Sequence, residues 1–246
     1  MSTPVPTPQV QEATSPAMSE VQRLACTFYD PGRTMTDIGR KASWWVPWIL
    51  VSIASLCFVF VVESRVGWDQ AVEHQIMKDP ASAERFDRMP PDQREKAFAM
   101  AGKIGKGFAY SSPIIILLAN AIMAGILLGV FNFGFGAQLK FAQLMAINLY
   151  ASLVSILKTV LAIITLYIIE PDGFQLDNPV ASNLGVLVDS SNKFLFRFAT
   201  CFDIFSLWVV GLMALGVSRN SKVKFAPAFT CIFVLFVIGK VLGFGG

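Results

Sequence analysis

Apolar residues are concentrated in five long stretches of the chain, each close to or above the roughly 20 residues that cross a bilayer. The stretches cover residues 44–62, 113–135, 142–169, 195–217 and 226–242. Residues 1–20 are polar and have no apolar core, so they are not a secretory signal. The pattern predicts an all-α polytopic membrane protein, with a disordered tail at 1–20 and a five-helix transmembrane bundle within 21–246.

Weaker helical periodicity outside these stretches predicts amphipathic interfacial helices. Apolar residues at helical spacing mark residues 21–28, and Asp30-Pro31-Gly32 breaks that helix. Thr34 and Asp37 then resemble the capping box of a second short helix. Residues 63–112 carry two further amphipathic pieces and predict an extramembrane helical segment that caps the bundle.

Tryptophans stand where the first stretch begins. Trp44, Trp45 and Trp48 are expected at the level of the lipid headgroups, which indole rings favour, and Trp68 is assigned to the interface after the first stretch.

Small and polar residues recur every three or four positions through the third stretch, at Asn148, Ala151, Ser155, Lys158, Ala162 and Thr165. Small residues let helix backbones approach, and polar ones find partners across the contact. This seam predicts a helix packed against others. The second stretch has a comparable row at Ala121, Gly125 and Gly129, a GxxxG match that favours packing within the bundle over dimerisation and leaves both open.

The seam contains an ionisable residue, Lys158, and the fourth stretch offers one acidic partner, Asp203. Antiparallel spans would place both groups roughly 4 to 5 Å from the midplane on the same side. Leaving both unpaired in lipid would cost about 5 to 7 kcal/mol, so an intramembrane pair is predicted. Its role is either to lock two helices together or to form part of a proton, ion or solute path.

Composition agrees with the membrane prediction, since 54% of residues are hydrophobic and 15% are charged. Basic residues flank the stretches on one predicted side: Arg33, Arg40, Lys41, Lys140, Arg219, Lys222 and Lys224. The acidic loop after the third stretch falls on the other side. This asymmetry predicts a cytoplasmic N-terminus and a C-terminus across the membrane. It also explains the net charge of +3 without nucleic acid as a partner.

Familiar catalytic and metal motifs are missing from the sequence. His74 is the only histidine, and the four cysteines do not form a metal motif. The sequence therefore predicts no catalytic residues, no metal and no cofactor.

Several short segments carry a resemblance to bacterial Yip1-domain proteins, in the order that this family shows. They are FYDPGRT at 28–34, WWVP at 44–47, RVGW at 65–68, NPVASNLG at 178–185 and DIFSLW at 203–208. The resemblance implies a five-span membrane domain, the count reached above from hydropathy. Eukaryotic relatives bind Rab-type GTPases, but their Tyr-Gly-Pro motif is absent here, so GTPase binding is not carried over.

Together these features predict a non-enzymatic integral membrane protein that organises the membrane or binds partners. Its expected partners are membrane lipid, other membrane or cytosolic proteins, and a second copy of itself. If the source is bacterial, its membrane would be the cytoplasmic one. The alternative is a small transporter or a proton- or ion-coupled channel built around Lys158 and Asp203.

Overall fold

The computed structural model of the protein describes residues 17–77, 80–168, 180, 182–188 and 193–242, and within these ranges it consists of helices and loops without a strand. This confirms the all-α prediction. Most of the predicted tail, most of the acidic loop and the last four residues fall outside the described residues. The predicted tail includes Ser19 and Glu20, but Ser19 caps the first helix in a capping box with Gln22, so ordered chain begins before residue 21.

The first helices contain the N-terminal pair, the first apolar stretch and the extramembrane segment. They are α1 Glu20–Tyr29, α2 Pro31–Arg40, α3 Trp45–Arg65, α4 Trp68–Met77, α5 Pro80–Asp87 and α6 Pro91–Tyr110. The later helices of the described chain form most of the bundle. They are α7 Ser112–Gly129, extended by a π-helical turn at Val130–Gly134, then α8 Phe141–Ala151, α9 Val154–Ile168, α10 Lys193–Thr200, α11 Ile204–Asn220 and α12 Phe225–Val241.

Among the described residues, three helical segments are long and apolar enough to cross a membrane: Trp45–Arg65, Ser112–Gly134 and Phe141–Ile168. Two shorter apolar helices, α11 and α12, follow. The architecture is that of an integral membrane protein with a helical bundle, as predicted. The count of five complete spans stays a prediction.

Two of the predicted spans are interrupted. A turn at Ser152 and Leu153 separates α8 from α9. The Asn148 carbonyl accepts both the backbone N–H of Ser152 at 2.9 Å and its hydroxyl at 2.8 Å, and such side-chain bonds to the preceding turn often bend helices. The fourth stretch, predicted as one helix over 195–217, ends at Thr200 and restarts at Ile204. Asp203 caps the new helix, because its carboxylate accepts the Ser206 backbone N–H at 2.9 Å.

The core lies where α7, α8, α11 and α12 meet. Helix α8 is its centre, since every residue from Leu144 to Ala151 is buried. Helices α3, α4 and α9 contribute to a smaller apolar cluster that includes Val62, Trp68 and Leu166. A helix buried on all sides has no lipid-facing stripe, so α8 requires neighbours around its whole circumference.

The start of α2 differs from the predicted capping box. Pro31 occupies the first turn, and Asp30 is the cap, accepting the Arg33 backbone N–H at 3.3 Å. Thr34 and Asp37 therefore lie inside the helix, and both are buried. Their side chains bind groups outside α2, which the capping-box interpretation did not anticipate.

Helices α4 and α6 approach closely at Gly102. A Cβ at Gly102 would lie 1.9 Å from Asp69 Oδ1 and 2.9 Å from Asp69 Cα, so the backbone of α4 would have to move. We expect Gly102→Ala to lower the free energy of unfolding by about 1–3 kcal/mol in thermal unfolding of the detergent-solubilised protein. Gly107→Ala on the same helix is the matched control, because a Cβ there meets nothing within 4 Å. Equal stability of the two variants would contradict the close approach.

Candidate functional site

The predicted charge partners lie together in the structure. Lys158 Nζ on α9 is 3.2 Å from Asp203 Oδ2 at the start of α11. The Asp203 side chain is 1% exposed, whereas that of Lys158 is 31% exposed. The pair therefore joins a fully enclosed carboxylate to an ammonium that reaches the edge of the bundle.

Asp203 has two further partners that keep its carboxylate in place. Its Oδ1 accepts the Ser206 backbone N–H, and its Oδ2 accepts a hydrogen bond from the Ser182 hydroxyl. Asn183 forms an isolated β-bridge with Asp203. The loop before α10 thus folds back onto the break in the fourth stretch. Ser182 is a partner of the charge pair that the sequence analysis did not predict.

A cavity of about 270 Å³ opens beside this break, between α7, α8, α11 and α12. Four polar residues line it among apolar neighbours: Asn120, Asn148, Ser152 and Ser206. The Asn148 amide donates to the Asn120 carbonyl at 3.4 Å, while its Oδ1 is buried without a hydrogen-bond partner among the described residues. The cavity is therefore mostly apolar, with these four polar residues as exceptions, and it borders both interrupted helices.

The seam of the third stretch is buried in part. Ala151 and Ala162 are buried, and Asn148 reaches α7 as described. The hydroxyls of Ser155 and Thr165 instead donate to backbone carbonyls of their own helical segment, those of Ser152 at 2.6 Å and Leu161 at 2.9 Å. Asn148 and Lys158 thus make polar contacts to other helices, whereas the two hydroxyls do not cross the contact as predicted.

Gly125 and Gly129 make no close contact within the bundle, and their alternative role in dimerisation stays a prediction. A Cβ at either position would meet nothing within 4 Å. The reason is that α7 turns its Ala124 and Leu127 face towards the core, which leaves the glycines on another face. Within this row it is Ala121 that packs against the core.

The interfacial tryptophans divide into two groups. Trp45 is exposed, and Trp44 and Trp48 are half-buried against the core, with Trp48 Nε1 donating to the Pro113 carbonyl at 3.0 Å. Trp68 differs from its interfacial assignment. It is buried in the smaller apolar cluster, because α4 packs back against α3.

A second charged cluster, which the sequence did not reveal, attaches the N-terminal helices to the bundle. Arg23 on α1 is completely buried, and its Nε donates to Asp37 Oδ2 on α2 at 2.7 Å. Tyr150 of α8 donates its hydroxyl to Glu20 at 2.8 Å, and Arg23 Nη1 lies 3.6 Å from Glu20. Four side chains from three helices thus form one network, which is buried except for Glu20, whose side chain is 26% exposed.

Burial on its own lowers the pKa of the Arg23 guanidinium, but the hydrogen bonds and charges of Asp37 and Tyr150 together raise it by more. The pKa therefore lies above its ordinary value, and Arg23 is charged inside the protein. Arg23 also organises the backbone, since its carbonyl accepts the hydroxyls of Thr27 and Thr34 at 2.8 and 3.1 Å. Such a residue fixes the angle between α1 and α2.

Among the described residues no group of three or more His, Cys, Asp or Glu side chains could hold a metal ion, and none of the four cysteines forms a disulfide there. The chemistry that these residues offer is that of charge pairs, hydrogen bonds and surfaces.

A family model described as the Yip1 domain matches residues 25–244. The match includes Lys158, Asp203, both interrupted stretches and α2. No curated protein and no solved structure matches the chain. The Yip1 family consists of membrane proteins that interact with lipids and other proteins and is not known as an enzyme family. Because the match spans nearly the whole chain, this protein belongs to the Yip1-domain family of membrane proteins.

Proposed function

We propose that this protein is a non-enzymatic membrane scaffold that binds other proteins through its N-terminal helix pair. The observation that supports this most directly is the buried network around Arg23. A charge that is 0% exposed between α1, α2 and α8 fixes the pair to the bundle as one rigid platform. A rigid, preorganised surface loses less conformational entropy when a partner binds.

Further hydrogen bonds fix α2 to α11 and to α8. Asn220 at the end of α11 donates to the Met35 carbonyl at 2.8 Å, and Gln143 at the start of α8 donates to the Gly39 carbonyl at 3.4 Å. The platform thus lies at the end of the bundle that carries the basic flanks. We place this end in the cytoplasm, following the distribution of lysine and arginine, and in a bacterium the membrane would be the cytoplasmic one.

The platform presents apolar side chains outwards. Val21 is 75% exposed and Tyr29 is 73% exposed, both on α1. Exposed aromatic and aliphatic residues on a fixed surface are typical of protein interfaces. The partner is a membrane or cytosolic protein, or a second copy of this chain.

Site-specific photo-crosslinking in native membranes tests this function. We expect a photoreactive residue at position 21 or 29 to give discrete protein adducts larger than the monomer, whose masses separate a second copy from another protein. The matched control is Phe60 on α3, which is 65% exposed on an apolar helix expected to face lipid. Monomer alone at positions 21 and 29, or the same adducts at position 60, would contradict the platform.

A second candidate function, solute or proton passage, is favoured by one specific observation. The cavity beside Ser206 carries four polar residues on a mostly apolar wall and adjoins both interrupted helices, and Ser206 donates its backbone N–H to the capping carboxylate of Asp203. Non-helical backbone at membrane depth is tolerated where it is enclosed by protein or lines a cavity. Flux measurements on the charge pair distinguish this function from the scaffold.

A further inference from the structure

A second cavity, of about 290 Å³, lies between α2 and the end of α11 and is lined by three arginines. Arg33 and Arg40 come from α2, and Arg219 comes from the last turn of α11. Asp30, Thr36 and Asp37 complete its polar wall. Three guanidinium groups from two separate parts of the chain therefore converge on one concave space.

The two carboxylates of this wall do not cancel its positive charge. Asp37 is already paired with the buried Arg23 at 2.7 Å, and Asp30 accepts the backbone N–H of Arg33 as the cap of α2. With Asp37 neutralised by Arg23, Arg33 and Arg219 face the remaining charge of Asp30, while Arg40 has an interaction of its own and does not add to this excess. The cavity thus has an excess of positive charge and an abundance of N–H donors.

The arrangement is held in place by close helix contact. Gly32 approaches Arg219 so closely that a Cβ at Gly32 would lie 3.3 Å from Arg219 Nη2. The neighbouring Asn220 donates to the Met35 carbonyl at 2.8 Å, which fixes the end of α11 against α2. Arg33 and Arg219 therefore come from elements whose relative position is set before any ligand binds.

The position of the cavity indicates which anions reach it. Helix α2 ends at Arg40, and the first membrane-length helix begins at Trp45, five residues later. Arg219 lies one residue before the end of the apolar helix α11. The cavity therefore lies where a membrane-spanning bundle meets the headgroup layer, within reach of lipid phosphates.

We propose that this cavity is a binding site for a phosphate group, supplied by the headgroup of an anionic phospholipid. Guanidinium groups donate paired N–H bonds that match phosphate oxygens, and such charge-assisted bonds are stronger than neutral ones. The preference of basic residues for the cytoplasmic side accounts for the presence of arginines at this end of the bundle. It does not account for their convergence from residues 33 and 219 on one cavity. The site shares α2 with the proposed platform, but phosphate binding here does not depend on protein binding, which uses the exposed face of α1.

Binding to the purified full-length protein in nonionic detergent, measured by titration calorimetry, tests the site. The probes are dioctanoyl phosphatidic acid, dioctanoyl phosphatidylcholine and inorganic phosphate. We expect phosphatidic acid to bind, and the Arg33→Gln, Arg219→Gln double variant to weaken it at least tenfold. The matched control is Lys222→Gln with Lys224→Gln, which removes two charges near the same helix end but outside the cavity wall, and we expect it to change affinity less than twofold.

A third variant separates the shape of the cavity from the surface charge. Thr36→Phe fills part of the cavity and leaves every charge in place, and we expect it to weaken phosphatidic acid at least tenfold. A thermal unfolding midpoint close to that of the parent protein shows that each variant is folded. Equal losses in the arginine and lysine variants, or equal binding of phosphatidylcholine, would overturn the site. Inorganic phosphate binding as tightly as phosphatidic acid would overturn the headgroup as its source.

Discussion

Replacing Asp37 by alanine is expected to lower the free energy of unfolding by about 3–5 kcal/mol, the loss typical of a buried ion pair that keeps only one of its partners. The change leaves the Arg23 guanidinium, which is fully buried, without the carboxylate that lies 2.7 Å from it. Glu20 offsets only part of this loss, because it lies farther away, at 3.6 Å from Arg23 Nη1, and its side chain is 26% exposed. Denaturant or thermal unfolding of the protein in detergent measures the loss.

The control for Asp37 is an ion pair of the same type on the surface. Asp87 lies 3.1 Å from Arg94, and both side chains are exposed. We expect Asp87→Ala to change stability by no more than about 1 kcal/mol, because solvent screens such pairs. Similar losses for the two alanine variants would show that burial of Arg23 does not set the cost.

A double substitution at this network separates stability from function. Arg23→Met combined with Asp37→Leu removes both charges and restores apolar packing, so it should be more stable than Asp37→Ala alone. If the network serves mainly to fix α1 on the bundle, crosslinks from position 29 will weaken in Asp37→Ala and return in the double variant.

The sequence predicted most of the fold because hydropathy and helical period are local properties. Apolar composition is sufficient to mark the membrane-length helices, and Asp30-Pro31-Gly32 is sufficient to separate α1 from α2. The extramembrane helices also follow the predicted amphipathic pieces. Each of these features depends on residues within a few turns of one another.

The interruptions were missed because they involve side-chain hydrogen bonds to the backbone, which hydropathy does not report. Ser152 and Cys201 are not polar enough to lower the mean hydropathy of the apolar windows that contain them. The hydroxyl of Ser152 shares the Asn148 carbonyl with its own backbone N–H at the first interruption, and the carboxylate of Asp203 caps a new helix at the second. Asp203 itself was the signal that could have predicted the second break, since aspartate is a preferred cap residue and is rare inside an apolar stretch.

The network around Arg23 was missed for a different reason. Arg23 and Asp37 are fourteen residues apart on two short polar helices, where charges usually face solvent. Tyr150, which completes the contact, lies far along the chain in an apolar stretch. No local pattern connects these residues. For Lys158 and Asp203, by contrast, the high cost of isolated charges in lipid made each the natural partner of the other.

The charge pair at Lys158 and Asp203 leads to the second large prediction. We expect Lys158→Met to destabilise the protein by about 1–3 kcal/mol, because Asp203, which is 1% exposed, loses its cation and keeps only its neutral donors. Asp203→Asn should cost less. Asparagine still accepts the Ser206 N–H as a cap, and the remaining ammonium of Lys158 is 31% exposed and can reach solvent.

Asp203→Leu has a cost that no change at Lys158 can recover. It removes the cap of α11 and the acceptor for Ser182, in addition to the ion pair. The coupling between the two charges is therefore measured with Lys158→Met and Asp203→Asn, whose double variant should recover stability relative to Lys158→Met. A double variant whose loss equals the sum of the single losses would show that the pair does not stabilise the bundle.

Proton and ion flux in proteoliposomes, measured on the same variants, decides between the two functions. If the pair is a structural lock, the parent protein conducts nothing above empty liposomes, and the variants differ in stability alone. If the cavity beside Ser206 forms part of a path, the parent protein conducts and the folded Asp203→Asn variant does not. Asp203→Asn is the informative variant, because it keeps the cap and the helix break while removing the charge that faces both Lys158 and the start of α11.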